Sequence, residues 1–229
     1  MYKPNIPVIS LLILSFAAVL LRSQSIYPSR YDGFVYKKRA ASTDTVLIEA
    51  FYDPVCPDSR DSWAPLKQAV DHYGPTVVSL IVHTFPLPYH DNAFITSRVL
   101  HIVNDLNSSA TYPLLEAFFK YQNQFYNAKT NNISRAAALD KVIGFASRTL
   151  GNSIQSAIRS GFSDTKTSIK TRVSFKYGCM RGVYGTPFFF VNGFLVPFSD
   201  DDMIDYNGWR KIIDPLTTKG KNEYPLTIF

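Results

Sequence analysis

The sequence predicts an α/β fold in which a small sheet is interrupted by an all-helical block. Three observations predict it. A strand–helix–strand unit runs from Val46 to His83. Apolar residues then repeat at helical spacing from Asp91 to about Tyr177. An Asn-Gly turn between two short apolar runs brings the chain back to β structure before a last helix.

Each element has its own signature. Asp32-Gly33-Phe34-Val35-Tyr36 reads as a short leading strand. Val46 to Tyr52 reads as the main first strand, and Ser59 to Tyr73 is compatible with a helix stopped by Gly74-Pro75. Thr76 to His83 is rich in β-branched residues, which fit a pleated, buried surface. Phe85-Pro86-Leu87-Pro88 ends it. In the next block, Ala93, Phe94, Ser97, Leu100 and His101 share one helical face, as do Leu114, Leu115, Phe118 and Phe119, and Ala138, Leu139, Val142, Ile143 and Ala146. Asn- and Gly-rich breaks divide this block into four or five helices. Phe188 to Val191, Asn192-Gly193 and Phe194 to Val196 form a hairpin pattern. Ser199-Asp200-Asp201-Asp202 is expected to cap a helix running through Trp209 to Ile213, with acidic groups at its positive end.

Composition excludes several classes. A chain of 229 residues with 46% apolar and 18% charged residues is built to bury a core. The net charge of +6 falls to +4 once Lys3 and Arg22 are set aside, and Lys37-Lys38-Arg39 is the only basic run. No nucleic-acid partner is expected. Residues 1–25 read as a secretory signal: Lys3 is the basic start, Ile6 to Leu21 the apolar run, and Ser23-Gln24-Ser25 the small-residue cleavage region. The apolar run is shorter than the ~20 residues of a spanning helix, so no membrane association is expected after cleavage. Asn107-Ser108-Ser109 and Asn132-Ile133-Ser134 match the N-glycosylation pattern and suit that route. The location expected is the endoplasmic reticulum lumen, the vacuole or the extracellular space; the C-terminus carries no retrieval signal.

The residues that carry chemistry lie in three segments: Phe51-Tyr52-Asp53-Pro54-Val55-Cys56-Pro57, Phe85 to His90, and Gly185-Thr186-Pro187 running into Phe188 to Gly193. With the element order, these segments resemble the DsbA-like branch of the thioredoxin superfamily, and the chain is similar to thioredoxin-like proteins of the plant secretory pathway. The resemblance covers roughly residues 46–213. It implies a thioredoxin-like sheet with a helical insertion: the N-terminal part over 26–90, the insertion over 91–177 and the C-terminal part over 178–229. It also implies that Cys56 is the attacking thiol, that Pro187 is cis beside it, and that Thr186 offers its backbone to a bound peptide.

Cys56 would then stand at a helix N-terminus with Pro57 as the first helical residue, where free N–H groups and the dipole favour a thiolate. Asp58, a nearby negative charge, opposes it, so a modestly activated thiol is expected. Ser59 stands where the resemblance places a second cysteine, and a serine cannot resolve a mixed disulfide. Ala50 stands where related enzymes carry a buried acid, and Glu49, one residue off, faces the other way along a strand. Cys179 is expected either as a small buried residue or as one half of a structural disulfide. His90 is expected to fix the turn into the next helix rather than to act as a base. No metal site is expected among His72, His83, His90 and His101 or at Asp200 to Asp202, and no resident cofactor.

The reading that follows is a secretory monothiol thiol–disulfide oxidoreductase acting on protein or peptide thiols and disulfides, with glutathione as a co-substrate. The alternatives are a non-catalytic peptide-binding module of the same fold, and a glutathione-using transferase.

Overall fold

Two apolar strands pair in parallel at the centre of the sheet because a helix carries the chain from the end of one to the start of the other. Val46–Tyr52 (β2) is followed by Pro57–Tyr73 (α1) and Val78–Thr84 (β3), and β2 and β3 are in parallel register from Val46↔Val78 to Tyr52↔Thr84. The computed structural model describes residues 31–38, 45–197 and 203–218. The expected signal segment, the Ser199–Asp202 cap and the C-terminus therefore lie outside the described residues. The chain divides into a unit over Met1–Tyr31 and one from Asp32 onward, and all that follows concerns the second.

The sheet has five strands in the order β1-β3-β2-β4-β5. Phe34–Val35 (β1) pairs antiparallel with β3. Phe188–Val191 (β4) pairs antiparallel with β2, and Phe194–Leu195 (β5) closes the hairpin. Asn192 and Gly193 at the turn have φ of 48° and 86°, the left-handed pair that an Asn-Gly hairpin requires. Asn192 also exchanges two 2.8 Å hydrogen bonds with the Leu47 backbone, fixing the turn to the central strand.

Between β3 and β4 the regular structure is helical: Ala93–Leu106 (α2), Thr111–Tyr121 (α3), the single turn Asn127–Thr130 (α4), Arg135–Leu150 (α5), Gln155–Ser163 (α6) and Thr165–Met180 (α7). The block holds six α-helices where the sequence predicts four or five, and α7 runs past residue 177 to Met180. Strand β3 starts two residues later than its β-branched run suggests, since Gly74 to Val77 form a hydrogen-bonded turn. The last helix, Tyr206–Thr218 (α8), is capped by Asp205, whose Oδ1 accepts from Gly208 N at 2.7 Å. The acidic run expected to cap it ends three residues earlier.

Strand alternation divides the interior in two. Ile48, Ala50, Tyr52, Leu80 and Val82 face a large core with Trp63, Leu66 and Val70 of α1, Trp209 and Ile213 of α8, and much of the helical block. Phe51, Phe188 and Phe190 face the other way, into a smaller cluster with Cys56, Phe85, Leu87 and Val183, against which Phe175 and Tyr177 of α7 pack. Gly178 lets α7 approach this cluster. A Cβ there would lie 2.6 Å from the Phe85 ring and 3.2 Å from that of Phe51. Gly178→Ala should therefore lower stability by about 1–2 kcal/mol, overpacking outweighing the ~1 kcal/mol that alanine contributes to a helix. Thermal unfolding should show a fall of about 3–6 °C.

Candidate active site

Cys56 is the N-cap of α1, and Pro57 fills the first helical position, where a missing N–H leaves nothing unsatisfied. The helix thus begins at Pro57, two residues before the Ser59–Tyr73 segment read as helical. Arg60 N donates to Cys56 O at 3.2 Å, the first intrahelical bond. The thiol points inward: Cys56 is 3% exposed, and its Sγ donates to the Thr186 carbonyl at 3.3 Å. The Thr186–Pro187 peptide bond is cis. Residues 130 positions apart thus meet at one point, as the sequence leads one to expect. Thr186 itself is buried, and its Oγ1 has no hydrogen-bond partner among the described residues.

Solved structures with the same architecture include a Pseudomonas syringae chain described as a protein-disulfide isomerase, with a TM-score of 0.65 at 17% identity over 80% of this chain and 98% of that one. Wolbachia pipientis alpha-DsbA1 has a TM-score of 0.60 at 14% identity, over 84% of this chain and 94% of that one. The thiol-disulfide exchange protein alpha-DsbA2 of the same organism has a TM-score of 0.57 at 16% identity, over 80% and 87%. The chain has the DsbA-like thioredoxin fold. No family model matches the sequence, and no curated protein matches it. At these identities the likeness is one of fold.

Within this DsbA-like frame, the loop before α1 is held by a residue the sequence did not single out. Asp53 is fully buried. Its Oδ1 accepts from Val55 N at 2.9 Å, and its Oδ2 accepts from Leu87 N at 3.1 Å and lies 2.8 Å from His90 Nδ1. One carboxylate thus joins the Cys56 loop to the 85–90 loop. An acidic residue directly after an apolar strand and before a proline was the available signal. The His90 backbone forms the turn into α2: its N–H donates to Leu87 O and its carbonyl accepts from Ala93 N. Gln122, also unmarked by any motif, is buried at the end of α3. Its amide donates to Pro54 O at 3.3 Å and Cys56 O at 3.1 Å, and Tyr126 Oη donates to its Oε1 at 2.7 Å.

Ser59 is fully buried, and its Oγ accepts from Asp53 N at 3.3 Å. The Ser59 hydroxyl is thus a brace for the Cys56 loop. Asp58 is exposed on the first turn. Cys179 is exposed and free, against both expectations for it. It follows Gly178, whose bare backbone takes the inward position on α7, so the next side chain turns to solvent. Asn107 and Asn132 are both exposed. Asn107 Oδ1 accepts from Ser109 N, and Ser134 Oγ accepts from Ala137 N at the start of α5. Among the described residues no group of three or more His, Cys, Asp or Glu is placed to hold a metal ion.

Glu49 lies on the face opposite Ala50, as strand alternation requires, and it is buried there in a polar network behind Phe51. Its carboxylate accepts from Tyr177 Oη at 2.7 Å and from Arg181 at 3.1 Å, and lies 3.4 Å from His83 Nε2. His83 Nδ1 is 2.8 Å from Asp32 Oδ2, which also accepts from Ser174 Oγ at 2.7 Å. Burial by itself would lower the His83 imidazole, but hydrogen bonds to Asp32 and Glu49, and their charges, outweigh it and raise it above its ordinary value. Burial would raise Asp32, but the His83 contact and the Ser174 hydrogen bond hold it below the usual carboxylate value.

The signs set a pH window. A raised histidine contributes stability that is complete below its unfolded value near ~6.5 and is lost as pH rises through its folded value. A lowered aspartate contributes stability that is complete above ~3.9 and lost as pH falls through its folded value. His83→Phe, which keeps a ring against Phe51, should cost about 3–5 kcal/mol at about pH 6 because two buried carboxylates lose the cation they share. Urea denaturation should show that deficit shrinking as pH rises through the raised folded value of His83, where the wild-type imidazole gives up its proton.

Proposed function

We propose that this chain is a monothiol thiol–disulfide oxidoreductase acting on protein or peptide thiols and disulfides. The observation that carries the reading is the Cys56 thiol at the start of α1, 3.3 Å from the carbonyl that precedes cis-Pro187. In the step proposed, the Cys56 thiolate attacks one sulfur of the partner's disulfide. The old S–S bond breaks, the partner's second sulfur leaves as a thiolate and takes a proton, and a mixed disulfide with Cys56 remains. Pro57 and the free N–H groups of α1 support the thiolate, and Thr186 and Pro187 shape the groove for the partner. Ser59 provides no second thiol, so an external thiol such as glutathione would end the cycle. No resident cofactor is needed.

The burial of Cys56 favours a second reading, a peptide-binding module of the same fold with no turnover. Two substitutions separate them. Under the oxidoreductase reading, wild-type protein treated with glutathione disulfide forms a mixed disulfide at Cys56, and Cys56→Ser removes it. Ser59→Cys should then raise insulin reduction at least about tenfold over wild type, while giving up about 1 kcal/mol through the lost Asp53 bond. Glutathione disulfide that labels only Cys179, together with an inactive Ser59→Cys, would leave the binding module.

The same proposal places the protein on the secretory route, in the endoplasmic reticulum lumen, the vacuole or the extracellular space. Support comes from the apolar N-terminus and from the exposure of both acceptor asparagines. No helix among the described residues is long and apolar enough to cross a membrane. Protein made in a eukaryotic secretory system should lose mass on endoglycosidase treatment in two steps. Asn107→Gln and Asn132→Gln should each remove one step, and an unchanged mass would reject the glycosylation.

A further inference from the structure

The Asp53–His90 pair is the strongest arrangement of titratable side chains that the monothiol reading leaves unused. The Asp53 carboxylate receives two backbone N–H groups, from Val55 and Leu87, and lies 2.8 Å from His90 Nδ1. Nδ1 is the ring nitrogen turned to the carboxylate, so Nε2 is the one left to meet a ligand. No described residue hydrogen-bonds that nitrogen. The His90 side chain is 22% exposed, whereas its Asp53 partner is fully buried. The turn into α2 uses the His90 backbone and leaves the ring to another purpose.

The ring belongs to the surroundings of Cys56. Asp53 O accepts from Cys56 N at 3.1 Å. Leu87, bonded to both Asp53 and the His90 backbone, packs in the same small apolar cluster as Cys56. Tyr89, whose ring lies 4.9 Å from that of His90, has its phenol raised by desolvation and then by the charges of Cys56, Asp53 and Asp58. The titratable groups around His90 are thus Asp53 and Tyr89 in contact with it, Asp91 next in sequence, and Cys56 and Asp58 across the loop.

A base is what a site without a second thiol lacks. When the resolving thiol comes from solution it arrives mostly protonated at neutral pH, with a thiol value near ~8.5, yet only the thiolate attacks. We propose that His90, oriented by Asp53, is the general base that deprotonates the incoming small-molecule thiol as it resolves the Cys56 mixed disulfide. This rests on the monothiol reading. The incoming thiol gives its proton to His90 Nε2, and its sulfur bonds to the sulfur held by Cys56. The Cys56 S–S bond breaks, and Cys56 leaves as a thiolate that later takes the proton. One disulfide is lost and one is formed, so no other oxidant or reductant enters.

The test separates the two half-reactions in a Cys179→Ser background, so that Cys56 is the only thiol. Glutathione disulfide forms the mixed disulfide, and glutathione then resolves it, each step followed by intact-mass spectrometry after rapid quenching. His90→Asn retains an N–H group for Asp53 but has no counterpart of Nε2; His90→Ala leaves room for added imidazole. Circular dichroism should show both variants folded, and because resolution by glutathione is the reverse of loading by glutathione disulfide, His90→Asn should slow loading by the same factor as resolution. His90→Asn should resolve it roughly 10- to 100-fold more slowly, and imidazole should restore resolution in His90→Ala. A His90→Asn variant that resolves at the wild-type rate, or an Ala variant that imidazole leaves unchanged, makes His90 a structural pin and overturns this proposal alone. A wild-type chain that forms no mixed disulfide overturns the monothiol reading and this proposal with it.

Discussion

The Asp53 carboxylate, buried at the end of β2, fixes the geometry around Cys56. It accepts from the backbone of its own loop at Val55, from the backbone of the opposite loop at Leu87, and pairs with His90. Two irregular segments, each rich in proline and therefore poor in N–H donors, would otherwise bury polar groups without partners. A charged acceptor makes stronger hydrogen bonds than a neutral one, so a single side chain can hold both loops. Ser59 and Gln122 complete the brace from α1 and α3. Cys56 lies where these constraints and the Thr186 carbonyl meet.

The two faces of the sheet are stabilised differently. The face toward α1 and α8 is an apolar core of aromatic and aliphatic side chains, with Trp209 and Tyr52 among its largest fully buried members. The other face places a charged network of Asp32, His83, Glu49, Tyr177 and Arg181 directly behind the apolar cluster that receives the thiol. Arg181 also lies over the Phe190 ring, 4.1 Å from its centroid, and reaches Gly193 O on the hairpin. The acid is thus displaced by one residue along β2 and neutralised by cations on its own side of the sheet. Such a network holds α7, β2, β3 and the hairpin in one register, because breaking any one pair leaves a buried charge unpaired.

Local signals in the sequence were sufficient for most of the architecture. Strand β2, the Asn-Gly hairpin, Pro57 at the first helical position and the uninterrupted run of helices follow from backbone preferences and hydrophobic period, which depend only on near neighbours. The misplaced features lack such a signal. Asp205, whose carboxylate meets a free N–H of α8, follows the acidic run without any cap pattern of its own. Cys179 has no neighbour in sequence that reveals its exposure, because that depends on Gly178 lying against Phe85 and Phe51.

The sequence alone determined that Cys56 opens a helix, that a serine follows it three residues later, and that Glu49 and Ala50 face opposite ways. Each is a matter of residue identity and local period. Tertiary structure decided what those residues touch. It brought Thr186 to Cys56 across the sheet, turned Ser59 into a hydrogen-bond acceptor for the loop, and joined His90 to Asp53 across 37 positions. Contacts between distant segments depend on strand order and on how closely helices approach the sheet, and neither is encoded in any short stretch of chain.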